Sequence, residues 1–231
     1  MKSATEILAE VSKTLSTTWT TRDGQVVPDV SDLKLGNDGV ILDATVLYAD
    51  MTDSTGLVDG YKDWFAAEVY KSYLLAACHV IRNNAGSITS FDGDRVMGIF
   101  IAKNKNTIAA KTALQISFIT AQINEKLKMT YPTSTYQLKQ TIGIDTSKIL
   151  VARTGIRDAN DLVWVGPAAN HAAKLCAEAN DEYPIIITDA VYKKLHASSK
   201  MGGSPQVNMW EKHYVRSTQD LVYRTNWYWQ F

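Results

Sequence analysis

The chain has 231 residues, 45% hydrophobic and 21% charged, with Lys and Arg at 24 balancing Asp and Glu at 24. That suits one globular domain with a sizeable core. Zero formal charge excludes a whole-molecule attraction to nucleic acid or anionic lipid, so any phosphate recognition is local.

The first stretch, "MKSATEILAEVSKTL", reads as a short amphipathic helix without the apolar core and cleavage site of a signal peptide. No apolar run approaches the length needed to cross a bilayer, so no membrane partner is expected. A turn-rich extended segment follows, with turns at Asp23-Gly24 and Asn37-Asp38-Gly39. Residues 1–43 are therefore set apart as a helix and an extended lead-in, and 44–231 as the main domain. "ATVLYAD" is the first strong strand. From Tyr61 to Asn84, Phe65, Val69, Tyr73, Ala76 and Val80 recur every three or four residues, one face of a helix, which Asn84-Ala85-Gly86 stops. "SITSFDGDRVMGIFI" reads as a hairpin turning at Asp92-Gly93-Asp94. A second long helix covers about Thr107 to Lys128. "LKQTIGID" and "KILVART" read as a strand pair, "DLVWVG" as a further strand and "AANHAAKLCAEAN" as a helix. "PIIIT", a short helix through "DAVYKKLHAS" and an aromatic-rich C-terminal stretch complete the chain. Cys78 and Cys176 lie in apolar helical patterns, away from any CxxC or Cys/His spacing. They read as reduced, packed thiols of a cytoplasmic protein. No internal repeat or linker interrupts this order, so a single α/β domain is expected.

The chemistry centres on "VLYADMTDSTGLVDG", where an apolar strand ends on Asp50. Asp50 or Asp53 is either an N-cap for the next helix, or Asp50 is a metal ligand beside an Asp53-Ser54-Thr55 phosphate cradle. Asp94 is either a turn residue or a second carboxylate of the same site. In a β-α-β-β unit of ferredoxin-like type, the first strand and the hairpin bring such positions together. Two carboxylates in an open site repel unless protonated or bridged, and Mg²⁺ or Mn²⁺ is the natural bridge to triphosphate oxygens.

Four blocks, "VLYADMTDST", "GSITSFDGDRVMGIF", "QTIGIDTSKILVARTGIR" and "VWVGPAANHAAKL", are similar in order and separation to those of class III nucleotidyl cyclase catalytic domains. The stretch "VPDVSDLKLGNDGVILDATVLYADMTDST" looks most like the Pycsar pyrimidine cyclases of bacterial anti-phage defence. The resemblance implies a ferredoxin-like βαββαβ core, a mostly antiparallel sheet with flanking helices, in residues 44–231. It implies two divalent cations, Mn²⁺ or Mg²⁺, on Asp50, Asp94 and the Met51 carbonyl. It also implies β- and γ-phosphates on the backbone amides at Ser54 and Thr55, and Arg157 aimed at the same phosphates. Asn170 matches the asparagine that orients the ribose. Lys174 falls on an arginine that stabilises the transition state; lysine keeps the charge and loses the planar fork. Such domains work as head-to-tail dimers, and both halves of the site are present in this chain. A homodimer with shared sites is therefore expected, with a separate effector protein reading the cyclic product.

Base choice rests on fewer residues. Side chains two apart on a strand face the same way, so Tyr48 shares its face with Asp50, and Ser90 and Asp92 flank the approach to Asp94. In adenylate cyclases a lysine stands at the position of Ser90 and an aspartate at that of Val163, and this pair reads adenine. Valine offers no hydrogen bond and Tyr48 adds bulk, which points to a single-ring base. UTP is preferred over CTP on the resemblance alone. Tyr48 also reads as a core residue whose hydroxyl finds a backbone partner, and Asp92 as a residue that shapes the hairpin. Arg95 and Arg153 sit beside site positions and either reaches a phosphate or faces water. His171 reads as packing or surface. The rivals are a purine cyclase and a degenerate cyclase-like domain that binds nucleotide without turnover.

Overall fold

The computed structural model describes residues 1–215 and 220–231. In chain order, α1 (Ala4–Ser16) and β1 (Thr20–Asp23) precede a 3-10 turn at Val30–Asp32 and then β2 (Asp38–Met51). Next come α2 (Ser54–Gly60), α3 (Asp63–Asn83), β3 (Ser87–Asp92), β4 (Arg95–Phe100), α4 (Lys105–Thr130), β5 (Gln140–Ile156), β6 (Ala159–Val165), α5 (Pro167–Glu178) and β7 (Ile185–Thr188). Short elements complete the chain: α6 (Asp189–Lys193), α7 (Ala197–Lys200), β8 (Met201–Gly202), β9 (Val207–Asn208), β10 (Glu211–Tyr214) and β11 (Leu221–Thr225).

Period-two burial in β2 decides the layering. Val40, Leu42, Ala44 and Val46 enter one apolar cluster, whereas Leu47, Ala49 and Met51 enter another on the opposite face. The second cluster is closed by α3 and α4, through Phe65, Val69, Tyr73, Ala77 and Val80 of α3 and Ala109, Ala113 and Ile116 of α4. The first is closed by α5 through Ala168, Ala169 and Ala172. The main sheet runs β10-β11-β7-β5-β2-β4-β3, with β1 added along β2 and β6 along β5. Its β5-β2-β4-β3 portion is antiparallel throughout, the expected ferredoxin-like arrangement. Only β1 against β2 and β7 against β5 pair in parallel within the described ladders.

Two boundaries differ from the expectations. Residues 140–156, read as a strand pair, form one 17-residue strand, and its hairpin partner is β6. The polar residues Thr146 and Ser147 looked like a turn, but they are held in the ladder. Thr146 Oγ1 donates to the Ala44 carbonyl, and Ser147 Oγ caps α5 by accepting from Ala168 N at 3.0 Å. The long β2 serves as template, pairing from Gly39–Ala152 to Met51–Gln140. Residues 54–60 are already helical, so the first helix after β2 starts at Ser54. β2 itself runs across positions 43 and 44. Among the described residues no helix is long and apolar enough to cross a membrane.

Candidate active site

Register assembles the site in rows across one sheet face. Gly143, Tyr48, Met97 and Ser90 stand opposite one another on β5, β2, β4 and β3. One row toward the strand ends, Thr141 pairs with Asp50 and Arg95 pairs with Asp92. Asp94 follows Gly93 in the two-residue turn of the β3–β4 hairpin, where Gly93 takes φ 63. Tyr48, Asp50, Ser90, Asp92, Asp94 and Arg95 are thus gathered at one edge of the face, a grouping that needs only strand alternation and the hairpin.

The electrostatics of this corner are unfavourable without a cation. Burial first, and the Asp94 carboxylate second, push the Asp50 carboxyl up to about 6, against partial relief from Arg95. Asp94 Oδ2 is buried with no hydrogen-bond partner. A buried carboxylate oxygen in that state costs free energy that a bound cation recovers. Two carboxylates at a strand end are a hard-oxygen donor set of the kind Mg²⁺ and Mn²⁺ accept. The residues present therefore fit a divalent cation. The strand end is held from behind, because the fully buried Tyr73 hydroxyl donates to the Asp50 carbonyl at 3.4 Å.

Asp53 is the N-cap of α2. It adopts φ 57 and its side chain accepts from Gly56 N at 3.3 Å. Ser54 and Thr55 are the first two helical residues, where N–H groups lack intrahelical acceptors. Tyr70 steadies the turn by donating to the Ser54 carbonyl.

The arginines differ in what already holds them. Arg95 pairs with Asp92 at 2.6 Å and lies over the Tyr48 ring, 5.3 Å from its centroid. Arg153 is engaged in the fold: Nε donates to Asn160 Oδ1 at 2.8 Å and an Nη to the Leu33 carbonyl at 3.2 Å. Arg157 is exposed in the turn between β5 and β6. At about 3.3 Å per residue, that places it on the order of 50 Å along extended strand from Thr141, the partner of Asp50.

α5 sits so closely on β5 that a Cβ at Gly143 would lie 2.0 Å from the Ala172 carbonyl oxygen. Cys176 faces the sheet, its Sγ donating to the Thr141 carbonyl at 3.2 Å; burial pushes this thiol up to about 12, so it packs rather than reacts. Asn170 and Lys174, one turn apart on one side of α5, point away from the side that carries Cys176. Asn170 is exposed. Lys174 lines a cavity of about 610 Å³ between α5, β5 and the start of β11, shared with Asp145, His171 and Thr188. Lys174 thus opens on the β7 and β11 side of β5, whereas Asp50 lies on β2 along the other edge of β5, and Arg157 stands at the tip of the β5–β6 arm. His171, read from sequence as packing or surface, is half exposed and its Nδ1 lies 3.2 Å from Asp145 Oδ2. Sequence spacing carries no signal for that pairing, because Asp145 and His171 meet only when α5 docks on β5.

No protein-family model matches the chain. A uridylate cyclase of Xanthomonas perforans is 45% identical over 215 residues, covering 92% of this chain and 91% of that protein. A uridylate cyclase of Burkholderia cepacia is 38% identical over 231 residues, 99% of each. Among solved structures, the adenylyl cyclase CyaB from P. aeruginosa superposes with a TM-score of 0.70 at 17% identity, covering 81% of this chain and 95% of that one. The strand-end aspartates, the helix-capped turn and the long β5–β6 arm thus stand on a cyclase fold with near full-length relatives, and the chain belongs to the uridylate cyclase family as a nucleotidyl cyclase.

Proposed function

We propose that the chain converts UTP to 3′,5′-cyclic UMP and pyrophosphate, as a second-messenger synthase of bacterial anti-phage defence whose product a separate effector protein reads. The observation that carries the chemistry is the Asp50–Asp94 corner, with a carboxyl raised to about 6 beside an unpartnered buried carboxylate oxygen. The 3′-oxygen attacks the α-phosphorus of the same nucleotide and the bond to the β-phosphate breaks. Asp50, Asp94 and the Met51 carbonyl would hold two divalent cations, Mg²⁺ or Mn²⁺, which when bound would supply acidification of the 3′-hydroxyl and neutralisation of phosphate charge. The protein's own groups position and screen. Backbone N–H groups at Ser54 and Thr55 receive the β- and γ-phosphates, Asn170 orients the ribose, and Lys174 stands where phosphate charge develops. Arg157 reaches the same phosphates from its arm.

Lys174 opening on the β7 side of β5 and Arg157 at the tip of the arm, both directed away from the strand that carries Asp50, favour a homodimer in which each site takes the aspartates from one subunit and Asn170, Lys174 and Arg157 from its partner. Tyr48, Ser90 and Asp92 face the base, and Val163 leaves a purine edge without a polar reader. Arg95, bridging Asp92 and the Tyr48 ring, neutralises the Asp92 carboxylate on that wall.

Purified protein given all four nucleoside triphosphates at equal concentration with Mn²⁺ is expected to make cyclic UMP predominantly, read by mass spectrometry. Dominant cyclic AMP or cyclic GMP refutes the pocket argument, and dominant cyclic CMP refutes only the choice of uracil. Absence of any product supports nucleotide sensing without turnover, a reading that Lys174 in place of arginine leaves open and that retention of both aspartates and Asn170 argues against. Asp50→Asn and Asn170→Ala chains, each nearly inactive, are expected to recover about a quarter of wild-type activity on mixing, since half the dimers carry one intact site of two. No recovery despite proven subunit exchange places each site within one chain.

A further inference from the structure

The N-terminal helix is capped and anchored, yet nothing among the described residues covers it. Every residue from 1 to 23 is exposed, so α1 buries no side chain against the domain. Leu8 and Leu15 are 63% and 82% exposed, and Ile7 and Val11 are open as well. Both ends are nevertheless held. Ser3 and Glu6 form a capping box at the start, and at the finish Asn37 Nδ2 donates to the Thr14 and Thr17 carbonyls at 2.9 and 2.6 Å. Isolated helices shorter than about 12–15 residues are marginal in water, so the 13 residues of α1 call for a packed face. Its apolar residues have the order of a coiled-coil seam, because Ala4, Leu8, Val11 and Leu15 follow at intervals of four, three and four. With Leu8 and Leu15 at a, and Ala4 and Val11 at d, the flanking e and g positions are Thr5, Ser12, Ile7 and Thr14, none of them charged. Lys2, Glu6, Glu10 and Lys13 fall on the outer positions. An identical helix laid along the seam therefore meets no like charge.

We propose that α1 pairs in parallel with α1 of a second copy, as a short coiled coil that strengthens the homodimer. The inference rests on the shared-site dimer of the proposed function. Asn37 lies two residues before Gly39, which pairs with Ala152, and Leu35 bridges to Arg153. The foot of α1 is thus pinned at the end of the sheet from which the β5–β6 arm leaves with Arg157, the residue that the dimer reading sends to the other subunit. The two bodies of such a dimer lie together at the anchored ends of their helices, so the helices run side by side in one direction. An antiparallel pair would set the anchored ends about 20 Å apart, at 1.5 Å per residue over the 13 residues of α1. A seam of four residues is too short to hold two chains by itself, so the coil adds to the catalytic interface. A lipid surface fits α1 less well, because Lys2 and Lys13 are balanced by Glu6 and Glu10 where a membrane-surface helix carries a basic face.

The test compares full-length wild type with a Leu8→Glu, Leu15→Glu double variant and with the single variants Val11→Cys and Lys13→Cys. In sedimentation equilibrium the double variant is expected to have a dimer dissociation constant raised about 100-fold or more, because two apolar seam residues in each chain become charged. Its turnover is expected to match wild type when the protein is concentrated enough to be dimeric, and to be lost on dilution at a correspondingly higher concentration. Under oxidising conditions Val11→Cys is expected to form a disulfide-linked dimer, since each d residue of a parallel seam faces its own counterpart. Lys13→Cys, on the outer face, is expected to form none, and wild type with its half-buried Cys78 and buried Cys176 is the blank. An unchanged dissociation constant, or a Val11→Cys chain that cross-links no faster than Lys13→Cys, overturns the proposal and leaves the shared-site dimer standing without α1. If wild type and not the double variant then co-sediments with phosphatidylglycerol vesicles, the occupant of the seam is a membrane. Because α1 buries no side chain, neither substitution disturbs the domain core, and the cross-link carries the test if the double variant does not fold. A wild type that is monomeric and active at every concentration overturns the shared-site reading itself.

Discussion

The two faces of the sheet are covered unequally. On one, α3 and α4 lay 21 and 26 residues of helix over Leu47, Ile142, Ile144, Ile185 and Ile187, with Tyr73 and Phe100 fully enclosed. On the other, the 12-residue α5 presents an alanine face and sits over β5, while Tyr48, Asp50, Ser90 and Arg95 beside it stay only partly covered. The thick face holds large side chains in a closed core, which is where stability comes from. The thin face tolerates a repelling pair of carboxylates because it is not sealed. Tyr73 links the two, reaching through the sheet edge from the thick side to the Asp50 carbonyl.

The largest test of this contrast removes the carboxylates. Asp50→Asn and Asp94→Asn are each expected to lower turnover by about 10³-fold or more, with far-ultraviolet circular dichroism unchanged. Retained activity in either variant detaches chemistry from the thin face. Next in size is Gly143→Ala. The new methyl meets backbone atoms, the Ala172 oxygen at 2.0 Å and Cys176 N at 2.4 Å, which no side-chain rotation relieves. A loss of about 1–3 kcal/mol in urea unfolding is expected, together with lost activity as Asn170 and Lys174 move with α5. A neutral result means that α5 rides more loosely than its contact with β5 implies.

The smallest effect concerns pH. Asp50 has a folded-state value of about 6 against about 3.9 for an unperturbed aspartate. The folded metal-free protein therefore holds the extra proton between these values, and this contribution to stability is lost as pH rises through 6. Asp50→Asn is expected to raise the metal-free unfolding temperature by a few degrees at pH 7.5 and to have no such effect at pH 4. Solvent screening keeps the difference on the order of 1 kcal/mol. Saturating Mn²⁺ should reverse the sign at pH 7.5, because wild type gains a ligand that the variant binds weakly. Differential scanning calorimetry at both pH values, with and without Mn²⁺, reads all four states.

Local pattern alone specified most of this architecture. The 3.6-residue periodicity of α3 and α4, the Asp-Gly-Asp hairpin and the alternation that turns Tyr48 and Asp50 to one face all depend on neighbours within a few residues. Long-range packing decided the rest. Thr146 and Ser147 read as a break in β5, until pairing with β2 and the N-terminus of α5 gave their hydroxyls partners inside a continuous strand. That continuity carries Arg157 to the far end of an arm and away from Asp50. The engagement of Arg153 with Asn160 and Leu33, the hold of Asp92 on Arg95, and the meeting of His171 with Asp145 likewise join separate elements. The chain order of residue types determined which groups have reactive chemistry. Only the docking of α5 on Gly143 and the length of the β5–β6 arm decided which of them one chain brings together, because those distances are set by contacts between segments far apart in sequence.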